Sequence, residues 1–577
     1  MKNSTGLKTI AIALSGSVLL AGCNGLGKMV KNAPKVTYEV SPKPLEMHAD
    51  SVKVTVSGKY PAKFFAKKAT VVITPTLKYQ GGEKTLKPIT VLGEAAEGSG
   101  TKVSYANGGS FMYNDKIAYT PEMAKSELFV KATGSMKSKT KDFPEVKIAD
   151  GVVATPLLVK SDEKAIAAKD KFTKTVPVTT TGSIYYTVNQ STVRPNEMSN
   201  TEMKAVKAFI AEGVAKGYTF KNANVSAYAS PDGEQTLNAD LAQDRAKSGM
   251  KAMMGVFGDK KNKVEAATAE SFYSIVTTAE DWEGFKKLME ASSIADKDLI
   301  LRVLTMYSDL DIREREIKNL AKTYEEVSNE ILPKLRRAVI TINGEQNSRT
   351  DDQIAKLSTT TPDSLSVEEV LYAANLTTDM NTKLSIYKAG ERLYPNDWRC
   401  INNVGFIYLM QNKVGDAQAQ FEKANKLVTA NPIVLNNLGA TARLKGDKKA
   451  AMDYYKSASG AGSEVEYNMG IINIMNGEYA AAVTNFGSTN SFNAALAQVL
   501  NGSANNALAI IDNSPEKDMA ISYYLKAIVG ARSNNNDLMI NNLKSAINKD
   551  SSLKAKAKDD CEFLKYRANA DFKAIVE

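Results

Sequence analysis

Between residues 362 and 577 the chain repeats itself. Gly405, Gly439 and Gly470 recur at similar spacing, the first two 34 residues apart. Twelve residues after each comes a small residue, Ala417, Ala451 or Ala482, and four further on an aromatic, Phe421, Tyr455 or Phe486. Ala424 and Ala458 follow the first two aromatics, and Tyr408, Gly446, Gly477 and Tyr479 fill other recurrent positions. Small residues let two antiparallel helices approach closely, and the aromatic fills the gap to the next pair. A looser pattern through Ala527 and Ala546 extends the array to four to six helical hairpins. A helical bundle with coincident spacing is the competing arrangement.

Upstream, the pattern changes twice. Val36 to Val40, Val52 to Val56, Thr70 to Pro75 and Glu127 to Lys131 alternate or run apolar with β-branched residues, separated by Gly, Pro and Asn clusters. Short strands so spaced predict a β-sandwich over 36–160. The Lys/Asp/Ala-rich stretch 161–181 reads as a linker. Strand and helix then alternate over 182–345: Ile184 to Val188, a helical face over Glu202 to Lys216, a strand at Asn224 to Ala229, a helix over Leu237 to Val256 and a closing strand at Leu335 to Ile342. A largely helical insert spans Ala279 to Ile331, and residues 346–361 are a second linker. The predicted fold is therefore multidomain: an N-terminal all-β sandwich, a central α/β domain and a C-terminal all-α array.

Composition narrows the chemistry. Among 577 residues there is one histidine, His48, and there are three cysteines, Cys23, Cys400 and Cys561. A His-based triad, a His-ligated metal centre or a Cys-rich zinc site needs residues this chain mostly lacks. No Gly-rich phosphate loop appears, and the net charge of +10 comes without a dense basic helix. No cofactor or metal is expected, and the chain reads as non-catalytic. His48 has no His or Cys neighbour and reads as a surface or turn residue. Cys400 and Cys561 either pair or are two small buried residues, and the second is preferred because they sit in separate helical patterns.

The N-terminus carries Lys2 and Lys8, then a short apolar run to Leu20, then Ala21-Gly22-Cys23. This is a secretory signal over 1–22. Leu20-Ala21-Gly22-Cys23 resembles a bacterial lipobox, which implies that Cys23 carries lipid, with 23–35 as the anchored linker. An ordinary cleaved signal with an incidental cysteine is the alternative. Lack of acidic residues after Cys23 resembles a periplasm-facing lipoprotein.

Two further resemblances concern the body of the chain. The 34-residue interval and its small and aromatic positions look like tetratricopeptide repeats. The run Val225-Ser-Ala-Tyr-Ala-Ser230-Pro-Asp232-Gly233 with Asn238, Leu241, Arg245 and Ala246 resembles the OmpA-like peptidoglycan-binding domain. The resemblance implies that Arg245 takes a stem-peptide carboxylate and that Asn238 supports the turn. The family's ammonium-binding Asp falls on Ser230, and Asp232 could replace it only in a reshaped turn. On the other reading, Arg245 and Asn238 simply stabilise the strand–helix turn. The Ala-Ser-Pro-Asp-Gly form, the insert with Trp282, Arg313-Glu-Arg and Leu332-Pro-Lys-Leu-Arg-Arg337 look like Bacteroidetes proteins of this type, and Trp282 is expected to anchor the insert.

The expected function is an outer-membrane lipoprotein, anchored at Cys23 and facing the periplasm. It would tether the membrane to peptidoglycan through 182–345 and recruit an envelope protein on the inner face of the array at 362–577. Peptidoglycan, the membrane and an envelope protein are the expected partners, with nucleic acid excluded. The alternative is an accessory scaffold of an outer-membrane assembly, transport or secretion complex without wall binding.

Overall fold

A computed structural model of the chain describes residues 25–261 and 263–577. The signal segment and Cys23 lie outside the described residues. The described residues form two compact units: 25–168 with 394–577, and 169–393. The first unit is therefore discontinuous, and the second is inserted into it. No helix among the described residues is long and apolar enough to cross a membrane.

The N-terminal half of the first unit is a sandwich, as its alternating pattern predicts. In one sheet, strand Ser51–Tyr60 pairs antiparallel with Thr37–Ser41 and with Gly109–Ala118. The other sheet is built on Thr70–Tyr79 against Ser126–Met136, also antiparallel. Val52, Val54 and Val56 from the first sheet meet Val71, Ile73, Leu128 and Val130 from the second in one buried core. Stretch 25–35 is not an extended linker. Helix Gly25–Lys31 buries Leu26 and Met29 in that core, and the Met29 Sδ accepts a hydrogen bond from the Ala66 N–H. The signal was a pair of apolar residues three apart, spaced to fall on one face of a helical turn.

The C-terminal half is an array of five helical hairpins, from Trp398–Met410 with Val414–Leu427 to Ala520–Arg532 with Asn536–Lys549. The recurrent glycines act as expected. A Cβ on Gly405, Gly439 or Gly470 would come within 2.7, 2.5 or 2.8 Å of the ring of Phe421, Tyr455 or Phe486. Cys400 and Cys561 are buried and do not pair with each other. The sandwich and array also touch directly. The His48 ring packs edge-on against Tyr479 at 5.4 Å, and Lys448 pairs with Asp50 at 2.6 Å.

The second unit is a four-stranded sheet in the order Thr175–Tyr185, Arg337–Asn347, Thr219–Tyr228, Tyr273–Thr278. Only the last pair is parallel. Helices Thr201–Lys216 and Gln235–Phe257 pack on it through Met203, Val206, Ile210, Met250 and Met253. The insert has its own core around Phe285, Met289, Ile300 and Val327. Trp282 anchors it, donating to Glu280 at 2.9 Å, meeting Phe285 edge-on and lying under Arg313. Two expected boundaries move. The first strand begins at Thr175, inside the expected linker, and residues 362–393 group with this unit rather than with the array. The stacked pair Phe172–Tyr372 and the Arg349–Glu369 ion pair at 2.8 Å account for the second shift.

Gly439→Ala should lower stability by about 1–3 kcal/mol, since the Tyr455 ring is fully buried and has no room to retreat. Gly415 is also helical, but a Cβ there would meet nothing within 4 Å, so Gly415→Ala should be neutral or stabilising by up to about 1 kcal/mol. Denaturant titration of both variants checks the contrast.

Candidate functional site

Two constellations bring polar residues together, one in each unit. The first lies where strand Thr219–Tyr228 runs into helix Gln235–Phe257, and it contains all four residues expected to hold a stem peptide. Ser230, Asn238 and Arg245 are buried, with Arg245 at 1% exposure. Each guanidinium nitrogen of Arg245 donates to a main-chain carbonyl: Nε to Gln190 at 3.0 Å, Nη1 to Tyr228 at 3.0 Å and Nη2 to Thr187 at 3.4 Å. The cation also lies over the Tyr186 ring. Burial and the nearby Arg336 push its pKa down to about 10, so it remains charged at neutral pH. Asn238 donates to the carbonyls of Ser230 and Gly233, closing the turn.

Asp232 is engaged as well. It accepts from the Ser230 hydroxyl and pairs with Arg336 at 3.3 Å, while Arg336 Nε donates to Ser230 Oγ at 3.0 Å. Ser230, standing at the family's aspartate position, thus helps hold Asp232 and Arg336 together. Arg336 comes from the far side of the helical insert, and nothing near residue 230 in the sequence announces it. The arrangement is a closed set of internal charge-assisted bonds, which fixes a turn well.

The second constellation is on the array, and the motifs of the sequence do not point to it. The stretch Lys160–Ala168, expected to be linker from residue 161 on, lies extended along the first helices of four hairpins. One asparagine from each grips the main chain of one residue with both halves of its amide. Asn403 accepts from the Ala168 N–H at 2.7 Å and donates to its carbonyl at 2.9 Å. Asn437 does the same to Ile166, both at 2.8 Å. Asn468 holds Lys164 at 2.7 and 2.9 Å, and Asn493 holds Lys160 at 2.8 and 3.0 Å.

A second set of amides ties the grips together. Asn402 donates to the Ile166 carbonyl at 3.1 Å and Asn436 to that of Lys164 at 2.9 Å. Asn437 donates to Asn402 at 2.9 Å, and Asn468 to Asn436 at 3.0 Å. All six asparagines are at most 1% exposed. A primary amide offers a carbonyl acceptor and N–H donors, the same complement as a peptide group. The row of asparagines therefore serves the strap as a neighbouring β-strand would, and residues two apart present their polar groups to the same edge.

Side chains add selectivity at the strap's acidic centre. Glu163 pairs with Arg443 at 2.7 Å with both side chains buried, and Arg443 Nη1 donates to Ser161 Oγ at 2.8 Å. Burial pushes the Glu163 carboxyl up, against the opposing pull of Arg443. Asp162 accepts from the Tyr467 hydroxyl and from Asn493, both at 2.8 Å. Lys160 pairs with Glu516, which also accepts from the Phe492 N–H at 2.6 Å. At Glu516 burial pushes the pKa up, but the bonds from Lys160 and Phe492 outweigh it, and the net shift is downward.

The sequence did hold a signal. Asn403, Asn437 and Asn468 each stand two residues before a recurrent glycine, Gly405, Gly439 and Gly470. Polar residues at a fixed place in a buried helix need partners, and those partners are the strap.

No family model matches the chain, and no curated protein matches it. Among solved structures it is similar to PilF of Pseudomonas aeruginosa, at 13% identity over 39% of this chain and 98% of that one, with a TM-score of 0.28. It is also similar to a tetratricopeptide repeat protein from Parabacteroides merdae, at 20% identity over 36% of this chain and 91% of that one, with a TM-score of 0.27. A third likeness is to the C-terminal part of a TPR repeat-containing protein from Cytophaga hutchinsonii, at 15% identity over 39% and 92% of the two chains, with a TM-score of 0.26.

Asn437→Ala should destabilise the first unit by about 2 kcal/mol, because it strands the Ile166 N–H and the Asn402 side-chain oxygen; a denaturant midpoint measures it. The Glu516 bonds give a pH signature. Its folded pKa is depressed below the ordinary 4.5, so its stabilisation is complete above that value and lost as pH falls through the folded one. Protection of the Phe492 amide, corrected for intrinsic exchange, should fall between about pH 5 and about pH 3.

Proposed function

We propose that the chain is a non-catalytic, lipid-anchored scaffold of the bacterial outer membrane, an accessory subunit of an envelope assembly, and that its OmpA-like unit braces rather than binds the wall. One observation carries the choice over wall tethering: Arg245, Asp232 and Ser230 are committed to main-chain carbonyls and to Arg336. A stem-peptide carboxylate would have to displace three buried carbonyl bonds from Arg245. An ammonium would have to displace Arg336 from Asp232. Replacing charge-assisted bonds that are already buried yields little net affinity.

Anchoring at Cys23 follows from the lipobox, and two or more acyl chains hold a protein stably to a bilayer. A periplasm-facing position accords with the segment after Cys23, which has no acidic cluster. The helical array supplies surface for protein partners on the faces that Lys160–Ala168 does not cover, as solenoids of stacked hairpins do.

Mature protein mixed with isolated peptidoglycan should stay in the supernatant after sedimentation. Sedimentation that Arg245→Ala abolishes would establish the tether in its place. Affinity purification from native outer membranes should recover an envelope protein in fixed stoichiometry, and recovery of the chain alone counts against the scaffold.

A further inference from the structure

The face of the array that would ordinarily be open to a partner is filled by the chain itself. We propose that Lys160–Ala168 is a tethered ligand of the asparagine row, and that the row is a binding site for an extended polypeptide with an acidic pair, which the strap keeps closed to other chains. This goes beyond the scaffold reading and is independent of what the second unit binds.

Three observations carry it. First, every bond from Asn403, Asn437, Asn468 and Asn493 to residues 160, 164, 166 and 168 goes to main-chain atoms, so the row recognises an extended backbone and not a particular side chain there. A site of this kind accepts any strand able to lie along it, as sheet edges do. Second, the strap belongs to no helix or strand. It has the form of a bound peptide, held by its main chain, with Ala165 packed against the apolar core of the array.

Third, the side-chain contacts that would discriminate between ligands cluster at Asp162 and Glu163. Glu163 meets Arg443 in a buried pair, and Asp162 meets Tyr467 and Asn493. A competing segment with an uncharged residue opposite Arg443 leaves a buried guanidinium without its counter-charge, which is heavily penalised. The matching ligand is an extended segment carrying Asp-Glu or an equivalent acidic pair.

The tether decides occupancy in the resting chain. Leu158, just before the strap, is buried in the core of the array's C-terminal hairpins, so the strap is delivered at an effective concentration of the order of millimolar or above. An external peptide of similar intrinsic affinity competes only when present at that level.

The test uses the whole mature chain and a fluorescent peptide of residues 158–169. Lys164→Pro with Ile166→Pro removes the two N–H groups that Asn468 and Asn437 accept and leaves the array unaltered. The proline variant should bind the labelled peptide at least about 100-fold more tightly than wild type. Adding Asn437→Ala and Asn468→Ala to that variant should abolish binding, and a peptide with Glu163→Ala should bind about 10-fold more weakly. A proline variant that keeps its helical circular dichroism and binds no peptide overturns the proposal, as does equal binding by wild type. Amide exchange in the wild type gives a reading that no variant's folding affects. Lys164, Ile166 and Ala168 should exchange slowly while Ala165 and Ala167 exchange fast, and uniformly fast exchange across the strap overturns the proposal as well.

Discussion

A buried primary amide must be given hydrogen bonds, and six asparagines inside the helical array all depend on this one condition. Their partners are the main-chain groups of a strap that no helix or strand contains. With the strap in place these carboxamides are at most 1% exposed, so on the first helices of four hairpins their hydrogen bonds come from the strap and from one another and not from water. Any one of them left unpaired beneath the strap would cost about 1–3 kcal/mol. With the strap in place the same groups become a two-dimensional network, along the strap and from hairpin to hairpin. The sandwich, the strap and the array are then parts of one cooperative body, in keeping with the single compact unit that residues 25–168 and 394–577 form.

The two arginine constellations show how differently the same side chain is used. Arg245 is ringed by carbonyl oxygens and fixes the geometry of a turn. Arg443 meets a carboxylate supplied by the strap, and its neighbourhood changes if the strap leaves. The first has no unmet demand that an outside ligand would satisfy, whereas the second has a demand that only an acidic segment satisfies. Residue identity at a motif position therefore says less about binding than the question of which partners the side chain already has.

Much of the architecture was readable from order and type alone. The glycine–aromatic repeat marked the hairpins because the close approach it enables has a fixed period, and the alternation around Val52, Val54 and Val56 marked the sandwich because one face of a sheet is dry. The site was less readable, for two physical reasons. An extended segment held by its backbone carries no side-chain periodicity, so Lys160–Ala168 looked like any solvated run of Lys, Asp and Ala. Its clamps also lie 235 to 333 residues away, and Asp232 is similarly obscure, because its counter-ion Arg336 arrives from beyond the insert. The asparagine that precedes each recurrent glycine was in plain view, but its meaning depends on a buried polar group being accounted for. The boundary at residue 362 failed similarly, since helices that pack on the α/β unit have the same composition as those in the array.

The strap's position in the chain also dictates an order of events. Translation runs from the N-terminus, so Lys160–Ala168 emerges long before Asn403, and Asn493 later still. The sandwich can condense from contacts within its own stretch of chain, and domains generally fold in the order they appear. The strap has nothing to bind until an entire inserted domain and most of the array have followed. Closing so long a loop carries an entropic cost that grows only slowly with length, roughly as the logarithm of the intervening residues. The delay is kinetic rather than thermodynamic, because long-range contacts form late. Through that interval the nascent array would present a row of amides held only by water to whatever extended polypeptide is nearby, making the last stage of maturation a contest between the chain's own strand and its neighbours'.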